Sequence, residues 1–393
     1  MAEWIECKIS DIGTVVGGAT PSTKKAENYE NGTIAWITPK DLSTFSGRYI
    51  KRGERNITEI GLKSCSTQLL PKDTVLFSSR APIGYVAIAE NEVWTNQGFK
   101  SVVPNENTDP LFLFYLLKYN KDAIESMGSG TTFKEVSGNT MKNIVVRVPV
   151  DIKMQKQIAQ ILGSIDDKIE ENEKINNNLF EMVNAYYTSL FKDAECELTT
   201  IGNYAERIYS GGTPTTSNAT YWDGKFGWFS SGETRNRFVT STEKTITQAG
   251  VDNSATKLAV KHDIVMASAG QGLTRGQTSM LLTDTYVNQS VIVIHAKRNT
   301  LPYLFWNLAN RYEELRAISD SSSIRGSLTT KMIAAFEIPL VNEETLQTFA
   351  NFSWPVISQI ENNLLENERL TMLRDSLLPK LMSGELDVSE VDI

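Results

Sequence analysis

One long amphipathic pattern, which occurs twice, constrains the fold of this chain more than any other feature. From about residue 155 to residue 190, apolar side chains recur at spacings of three and four, as on one face of a helix. They are Ile158, Ile161, Ile165, Ile169, Ile175, Leu179, Met182, Val183, Tyr186 and Leu190. Such a helix spans roughly 50 Å at ~1.5 Å per residue. One small domain cannot cover a face of that length, so the helix needs a partner helix.

A second segment, between residues 356 and 381, supplies that partner. Its apolar residues have the same spacing: Val356, Ile360, Leu364, Leu370, Leu373, Leu377 and Leu381. A shift of 191 residues places Ile165 on Val356 and Leu190 on Leu381, so we predict that the two helices pack against each other. The same shift places Asn172 on Asn363. Two interpretations of this pair are equally open: exposed polar side chains, or buried ones that set the register of the helices.

The repeat extends into the segments before each helix. Gly17-Gly18-Ala-Thr20-Pro21 corresponds to Gly211-Gly212-Thr213-Pro214, and Trp36 corresponds to Trp228 at an offset of 192. Asn96-Gln97-Gly98 likewise corresponds to Asn288-Gln289-Ser290. A period this long is far beyond that of a solenoid repeat. The sequence therefore predicts a duplicated unit, with globular domains at residues 1–150 and 196–340 and helical segments at 151–195 and 341–393.

Local composition assigns the globular domains to the α+β class. Strands are predicted where β-branched and aromatic residues lie between Gly, Pro and Asn breaks: 75–77, 85–89, 100–103, 264–267 and 291–295, with proline-ended strands at 144–149 and 335–339. Helices are predicted near 111–126 and 302–318. Short helices at 153–162 and 343–352 would then be separated from the long ones by breaks at Gly163-Ser164 and Pro355.

The net charge of −8 is distributed unevenly along the chain. Residues 1–150 carry +1 and residues 196–339 carry +2, whereas residues 151–195 carry −4 and residues 340–393 carry −7. The acidic groups therefore lie in the helical segments, and the globular domains could carry local cationic patches. No run of apolar residues approaches the length of a membrane span. The start lacks signal-peptide features, and Cys7, Cys65 and Cys196 fit no metal spacing, so we expect a cytoplasmic protein.

Motifs for catalysis are missing from the sequence. It contains no phosphate loop, no HExxH, no CxxC and no aminomethylation motif of the Asn/Asp-Pro-Pro-aromatic type. Of the two histidines, His262 and His295, the second falls in a predicted strand and is interpreted as a packed or edge residue. The loop from Gly270 to Gly276 does not match a dinucleotide-binding motif. We therefore predict a chain that is not catalytic by itself and that holds no metal or cofactor of its own.

Polar and cationic loops that follow the predicted strands are the candidate binding elements. Arginine can bind guanine through two hydrogen bonds, Gln and Asn can bind adenine, and Ser, Thr and Lys can hold phosphates. The candidates for DNA binding are Thr20, Ser22, Lys24, Lys40, Ser78, Ser79, Arg80, Ser129, Thr131 and Lys134 in the first half. In the second half they are Thr215, Ser230, Arg235, Arg237, Gln271, Thr274, Arg275, Ser322 and Arg325.

Each candidate also has an ordinary structural interpretation. Ser, Thr and Gly clusters are common in turns, and an exposed arginine is usually a solvated side chain. Trp36 and Trp228 lie in predicted strands and are interpreted as core residues. The repeat favours the functional interpretation of the loops as a set. Framework residues match between the halves while loop contents differ, as expected if one scaffold carries two different reading surfaces.

Several motifs, taken together and in their order along the chain, resemble those of the specificity subunit of a type I restriction–modification system. They are Gly-Gly-x-Thr-Pro-Ser, the Trp36 strand, Asp73-Thr-Val-Leu with Ser78-Ser79-Arg80, Asn96-Gln97-Gly98, the proline-ended strand, Gln155 and the tail Leu381-Met-Ser-Gly384. The second helix departs from the pattern, with Leu346 where a glutamine is usual.

The resemblance implies two target-recognition domains on an antiparallel coiled coil with pseudo-two-fold symmetry. Each domain would read one half of an asymmetric, bipartite target in double-stranded DNA. Methyltransferase subunits, two of them, and restriction subunits would dock around the helices, and the chain would direct adenine methylation or cleavage by these partners. S-adenosylmethionine, ATP and Mg would be expected only on those partners. The alternatives are a non-DNA coiled-coil adaptor and, from another class, a lone DNA methyltransferase.

Overall fold

In the computed structural model the chain divides into two compact units. The first comprises residues 1–170 and 368–393, and the second comprises residues 171–367. The structure describes residues 3–130, 134–191, 197–270, 273–321 and 326–388. Each unit contains one globular domain and a stretch of both long helices. Within the described ranges no helix is long and apolar enough to cross a membrane.

The first unit is α+β. Its strands are β1 (Trp4–Lys8), β2 (Gly13–Gly17), β3 (Trp36–Ile37), β4 (Tyr49–Ile50), β5 (Val75–Ser79), β6 (Ile83–Ala89), β7 (Trp94–Thr95), β8 (Lys100–Pro104) and β9 (Val145–Pro149). Its helices are α1 (Ile9–Ile12), α2 (Pro39–Ser43), α3 (Glu59–Lys63), α4 (Pro110–Tyr119), α5 (Lys121–Ser126), α6 (Gly138–Asn143) and the first part of α7 (Ile152–Phe191).

The second unit has the same class. Its strands are β10 (Leu198–Thr200), β11 (Ala205–Ser210), β12 (Trp222–Phe229), β13 (Phe238–Val239), β14 (Lys244–Ile246), β15 (Lys257–Ala259), β16 (Ile264–Ala267), β17 (Thr278–Leu281), β18 (Thr285–Val287), β19 (Val291–Ala296) and β20 (Glu337–Pro339). Its helices are α8 (Ile201–Tyr204), α9 (Gln248–Asp252), α10 (Leu301–Asn310), α11 (Tyr312–Ser321), α12 (Thr330–Ala334) and most of α13 (Glu343–Ser383).

The sheets confirm the predicted duplication. The main sheet has the order β2-β8-β5-β6-β4 in the first unit and β11-β19-β16-β17-β13 in the second, and these strands correspond one to one. In both sheets the last pair is parallel and the others are antiparallel. A smaller parallel pair, β3 with β7, recurs as β12 with β18. A third pairing, β1 with β9, recurs as β10 with β20.

The long helices run antiparallel to each other inside each unit. In the first unit Ile158 of α7 shares a buried cluster with Leu381 of α13, while Asp166 accepts a 2.7 Å bond from Arg374. In the second unit the Tyr186 ring lies 4.5 Å from that of Phe352. Later residues of α7 thus meet earlier residues of α13, as expected for paired antiparallel helices.

The predicted breaks before the long helices are absent. Gly163 lies inside α7 and Pro355 inside α13. At Gly163 a side chain would come within 3.1 Å of Leu111 and 3.3 Å of Arg48, so the glycine serves close packing against the globular domain. The prediction of short, separate helices was wrong. Gly163-Ser164 and Pro355 were interpreted as helix boundaries from the local sequence alone, but both lie within continuous helices.

The apolar face of the helices also differs in detail from the predicted one. Met182 and Leu373 are exposed, whereas Phe180, Tyr187 and Phe191 are buried. These three aromatic residues face the second globular domain, so α7 buries a wider surface there than a narrow coiled-coil seam would.

The globular domain joins the helices differently in the two units. In the first, the guanidinium of Arg48 is buried, donates to the Gly163 carbonyl at 3.2 Å and pairs with Asp167 and, at 3.1 Å, Glu170. Tyr115 donates a 2.6 Å hydrogen bond to Asp166. Because the Arg48 guanidinium is removed from water, its pairing with these carboxylates offsets the cost of burying its charge where the domain meets the helices.

In the second unit the corresponding contacts are aromatic and apolar. Phe180 stacks on Trp306 with 5.6 Å between ring centroids, and Tyr187 accepts a 2.9 Å bond from Asn307. The departure noted at Leu346 has the same explanation. Gln155 accepts from the Asp109 N–H and donates to the Pro149 carbonyl, both at 3.0 Å, whereas Leu346 is buried in an apolar cluster.

Candidate nucleic-acid interface

Five loops of the first unit converge at one end of its main sheet. Four backbone hydrogen bonds join them: Ala19 N–H to Thr95, Asn96 N–H to Ile37, Ser79 N–H to Gly98, and Val136 N–H to Ser79, all between 2.7 and 3.1 Å. They connect the ends of β2, β3, β5 and β7 with the segment before α6. Strand ends are rigid supports, so the side chains of these loops are held in defined positions.

The second unit repeats this network. The corresponding bonds run from Gly212 to Val287, Asn288 to Phe229, Ser268 to Ser290, and Leu328 to Ser268, all between 2.9 and 3.1 Å. The loops they join differ from those of the first unit in sequence. We name the two sets of loops the first and second loop clusters.

The structure corrects the alignment of the glycine-containing loops by one residue. Gly18 corresponds to Gly211, because a side chain at either would lie 2.1 Å or less from the carbonyl oxygen of Thr95 or Val287. The alignment of Gly17-Gly18 with Gly211-Gly212 was therefore wrong. Gly17 has no such neighbour within 3.9 Å. In each unit the position that requires glycine is Gly18 or Gly211, because the backbone of another loop lies too close to leave room for a side chain.

Trp36 and Trp228 are buried, as predicted, and they anchor the same loops. The Trp36 indole donates to the Ala19 carbonyl at 3.2 Å and the Trp228 indole to the Gly212 carbonyl at 3.3 Å. Each indole is satisfied by a loop carbonyl, which explains how a tryptophan can be buried beneath the cluster. Neither ring is available as a stacking platform for a base.

Most predicted residues of the first unit are accessible at or beside the first loop cluster. Lys40 lies on α2, whose Pro39 packs beside Gly98, and Ser129 exchanges backbone bonds with Glu135. Thr20 and Arg80 are half-buried; Ser22, Lys24, Lys40, Ser129 and Lys134 are exposed. Arg80 lies 3.7 Å from the Glu135 carboxylate. Cationic and hydroxyl groups are thus brought together here, although they are far apart in sequence.

Ser78 and Ser79 are exceptions, because both are completely buried. Ser78 donates to the Pro82 carbonyl at 2.9 Å and accepts from the Tyr85 N–H at 2.8 Å. Ser79 donates to the Gly98 carbonyl at 3.1 Å. Their hydroxyls hold the loops together from inside, which does not support the prediction that they touch DNA.

Of the predicted residues in the second unit, Thr215, Arg235 and Arg237 are exposed and Ser230 is half-buried. Ser230 begins the short 3-10 turn Ser231–Arg235 directly after β12. Arg235 is exposed, pairs with Glu243 and donates to the Gly232 carbonyl at 2.8 Å. Thr215 is exposed in the loop that Trp228 anchors. These side chains surround the second loop cluster.

Arg237 and Arg275 each contact other residues of the second unit. The guanidinium of Arg237 packs over the ring of Phe180 on α7, 4.1 Å from its centroid. Arg275 has a side chain only 16% exposed that pairs with Asp320 at 2.6 Å and donates to the Gly326 carbonyl. Arg237 nevertheless remains exposed and accessible, whereas the guanidinium of Arg275 is turned inward; Thr274 beside Arg275 is half-buried. The predictions at Thr131, Gln271, Ser322 and Arg325 lie outside the described residues.

Carboxylates pair with the cationic side chains of the first loop cluster. The pKa of Lys40 is raised because its ammonium donates a 3.0 Å hydrogen bond to Glu54. Lys100, which was not among the predicted residues, lies 3.2 Å from the Glu135 carboxylate, which also pairs with Arg80. A phosphate would compete with these carboxylates for the same ammonium and guanidinium groups.

A buried acid–histidine contact lies elsewhere in the second unit. His295 on β19 contacts Asp263 at 2.6 Å, as a packed strand residue would. Burial raises the pKa of Asp263, and burial, with the charge of Asp263, raises the pKa of neighbouring Tyr209 to about 12. Among the residues that the structure describes, no three His, Cys, Asp or Glu groups form a set that could hold a metal ion.

Gln97 and Gln289 were missed as candidates, although their motifs were used to detect the duplication. Both are exposed, and each lies at the tip of a loop in its cluster. Their side-chain oxygens contact Thr20 and Thr213 respectively. The signal that could have found them is the Asn-Gln pair that recurs at the same place in both halves.

Comparison with known proteins assigns the chain to a protein family. The family model described as "Type I restriction modification DNA specificity domain" matches residues 1–180 and again 196–370. The chain is 31% identical over 412 residues to the type I restriction enzyme MjaIX specificity subunit of Methanocaldococcus jannaschii, covering 99% of this chain and 95% of that protein. It is 21% identical over 474 residues to the type I restriction enzyme HindI specificity subunit of Haemophilus influenzae, covering 98% and 100%.

A solved structure has the same fold. The type I restriction-modification S subunit from M. genitalium aligns with a TM-score of 0.60 at 16% identity, covering 97% of this chain and 96% of that one.

Proposed function

Because the chain belongs to the type I restriction modification DNA specificity family, we propose that its two loop clusters each read one half of an asymmetric DNA target. The chain is a specificity subunit, the non-catalytic component of a type I system, and its role is sequence-specific recognition of DNA. The observation that carries the proposal is the repeated loop network. One framework holds two sets of loops with different side chains, so two different sequences can be read by the same geometry.

The assignment of roles within the first loop cluster follows from exposure and chemistry. Arg80 is accessible and offers the guanidinium that suits guanine or phosphate. Lys40, Lys24 and Lys134 are exposed ammonium groups suited to phosphate. In the second cluster the exposed Arg235 offers a guanidinium of the same kind, and Ser230 and Thr215 offer hydroxyl groups.

The paired helices are the second element of the proposal. Type I specificity subunits assemble with other restriction–modification subunits and with DNA. For this chain we propose two methyltransferase subunits and, with them, restriction subunits, docked around α7 and α13. The acidic composition of these helices would repel phosphate and leaves them suited to proteins. S-adenosylmethionine, ATP and Mg would then be bound by the partners, which would methylate adenine or cleave.

A loop exchange tests the division of labour. The complex with the methyltransferase partner would be assembled, and methylated adenines mapped across a genome to obtain the consensus. Replacing residues 78–80 and 129–134 by the loops of another specificity subunit should change one half of the consensus only. A separate exchange in the second unit, at residues 230–235 after β12, should change the other half. If both halves changed after one exchange, or neither did, the proposal would be wrong.

A further inference from the structure

The Asn-Gln turns present one amide side chain in each loop cluster. In the first unit the Asn96 side-chain oxygen accepts from the Gly98 N–H at 2.8 Å, which closes a tight turn with Gln97 at its tip. The second unit repeats the turn with a 2.9 Å bond and Gln289 at its tip. The backbone beneath each glutamine is therefore fixed.

A threonine from the neighbouring loop fixes each side chain as well. The Thr20 hydroxyl donates to the side-chain oxygen of Gln97, and Thr213 does the same for Gln289. The threonine loop is itself held by the buried indole of Trp36 or Trp228. Neither glutamine Nε2 donates to any residue that the structure describes. Each exposed amide thus offers two N–H donors to an outside acceptor.

This geometry restricts what the amide can recognise. Glutamine reads adenine by accepting and donating at once; the Thr20 hydroxyl already takes one of the two acceptor positions of the Gln97 oxygen, whereas both N–H donors point to no described residue. Phosphate oxygens need donors only, and amide side chains are common phosphate ligands. The same group also stands in both clusters, and an identical contact cannot distinguish two different half-sites. It suits a feature that all duplex DNA shares.

We propose that Gln97 and Gln289 each bind a phosphate of the DNA backbone, and that Thr20 and Thr213 are positioning residues that aim their amides. The pair sets the register of each loop cluster on the duplex, while the divergent loops read the bases. This inference rests on the proposed function, because it requires two clusters that face DNA. Lys100, 3.5 Å from the Gln97 carbonyl, adds positive potential beneath the first amide.

The test compares variants in the complex assembled with the methyltransferase partner. Gln97→Ala and Gln289→Ala would be titrated against a duplex carrying the mapped target and a scrambled duplex of equal length. Each should weaken binding to both duplexes about tenfold or more, because a hydrogen bond to a charged group contributes at least the ~1.4 kcal/mol that corresponds to a tenfold change. A neutral donor releases no counterion by itself, so the dependence of affinity on salt should keep its slope. The methylation consensus should not change.

Three further variants separate positioning from folding. Gln97→Glu keeps an acceptor for Thr20 but repels phosphate, so it should bind more weakly than Gln97→Ala. Thr20→Val should lose several-fold in affinity while the melting temperature stays that of the wild type. Gln248→Ala removes an exposed glutamine of α9 whose amide donates to Asp252, and it should bind like the wild type.

The possible results distinguish a failure of the proposed function from a failure of the phosphate contact. A wild-type complex without preference for its mapped target would overturn the proposed function itself. A wild-type complex with that preference, but with glutamine variants within twofold of it, would overturn the phosphate contact alone. A changed consensus in one half-site would show that the amide reads a base and would likewise overturn it.

Discussion

Asn172 of α7 donates a 2.8 Å hydrogen bond to the side-chain oxygen of Asn367 on α13. The reciprocal contact, from Asn363 to Asn176, has the same length. The sequence shift relates Asn172 to Asn363, yet these two do not bond to each other. In an antiparallel pair, advancing four residues along one helix means retreating four along the other. The repeat therefore produces two crossed contacts instead of one central pair, and both Asn172 and Asn363 are buried.

Removing one of these amides should destabilise the helix pair. Asn172→Ala leaves Asn367 and Glu366 without their 2.8 Å donor in a largely buried position, and we expect a loss of about 1–3 kcal/mol in the free energy of unfolding. Urea unfolding of the variant measures it. Asn177→Ala, at an exposed position of the same helix, should stay within about 0.5 kcal/mol of the wild type. Equal losses in the two variants would contradict the assigned contact.

Replacing both partners should have the opposite effect on stability. Asn172→Leu combined with Asn367→Leu substitutes an apolar contact for the amide pair, so the helices should melt at a higher temperature. A polar pair specifies register at a cost in stability, so the double variant should also tolerate more than one gap between half-sites. Methylation mapping would show sites with altered gaps. A single unchanged gap would mean that the amides do not set the register.

The buried guanidinium of the first unit should be essential for joining its domain to the helices. Arg48→Leu leaves Asp167 and Glu170 unpaired, and water reaches these carboxylates, whose side chains are 72% and 26% exposed. We therefore expect about 1–3 kcal/mol, below the value for a fully buried pair. Thermal and urea unfolding would measure it. Arg52→Leu, at an exposed position in the same unit, is the control and should change little.

The stability of the first unit should fall in alkali. Burial, and then the neighbouring Asp166 carboxylate, raise the pKa of the buried Tyr115 phenol above its ordinary value. A raised pKa in the folded state means that its contribution is complete below the unfolded pKa of about 10 and is lost as pH rises above it. Tyr115→Phe should therefore flatten the stability–pH curve above about pH 10. An unchanged slope would show that the fall comes from other groups.

Adjacent glycines offer a matched pair in the first loop cluster. A side chain at Gly18 would lie 2.1 Å from the Thr95 oxygen, whereas one at Gly17 would lie 4.0 Å from its nearest neighbours. Gly18→Ala should therefore displace the threonine loop and weaken DNA binding at least tenfold, while Gly17→Ala should bind like the wild type. Titration of the assembled complex against its target duplex measures both. Similar affinities for the two variants would contradict the loop geometry.

Local patterns in the sequence were sufficient for the architecture. Periodicities of two and of 3.6 residues depend on neighbours in the chain, so the strands around Val75 and Ile264 were predicted within a few residues. Both long helices were predicted as well, although α13 begins at Glu343, well before the predicted start at residue 356. The duplication was predicted as well, because it needs only comparison of the chain with itself. The same comparison predicted two different sets of loops on one framework.

The site was predicted as a set of loops but not as individual contacts. Lys40 and Arg80 are accessible as expected, whereas Ser78, Ser79 and Arg275 are turned inward. A serine after a strand has the same sequence signal whether its hydroxyl faces solvent or a carbonyl of another loop. That difference depends on residues many positions away.

By itself, then, the sequence determined that this protein is one α+β unit made twice, each followed by a long helix. Only the tertiary structure decided which asparagine side chains bond to each other between the helices, and which glycine lies against the backbone of another loop. It also decided that the Thr20 hydroxyl orients the Gln97 amide. The physical reason is range: element type follows from local spacing, whereas burial and hydrogen-bond partners follow from segments that meet only when the chain has folded.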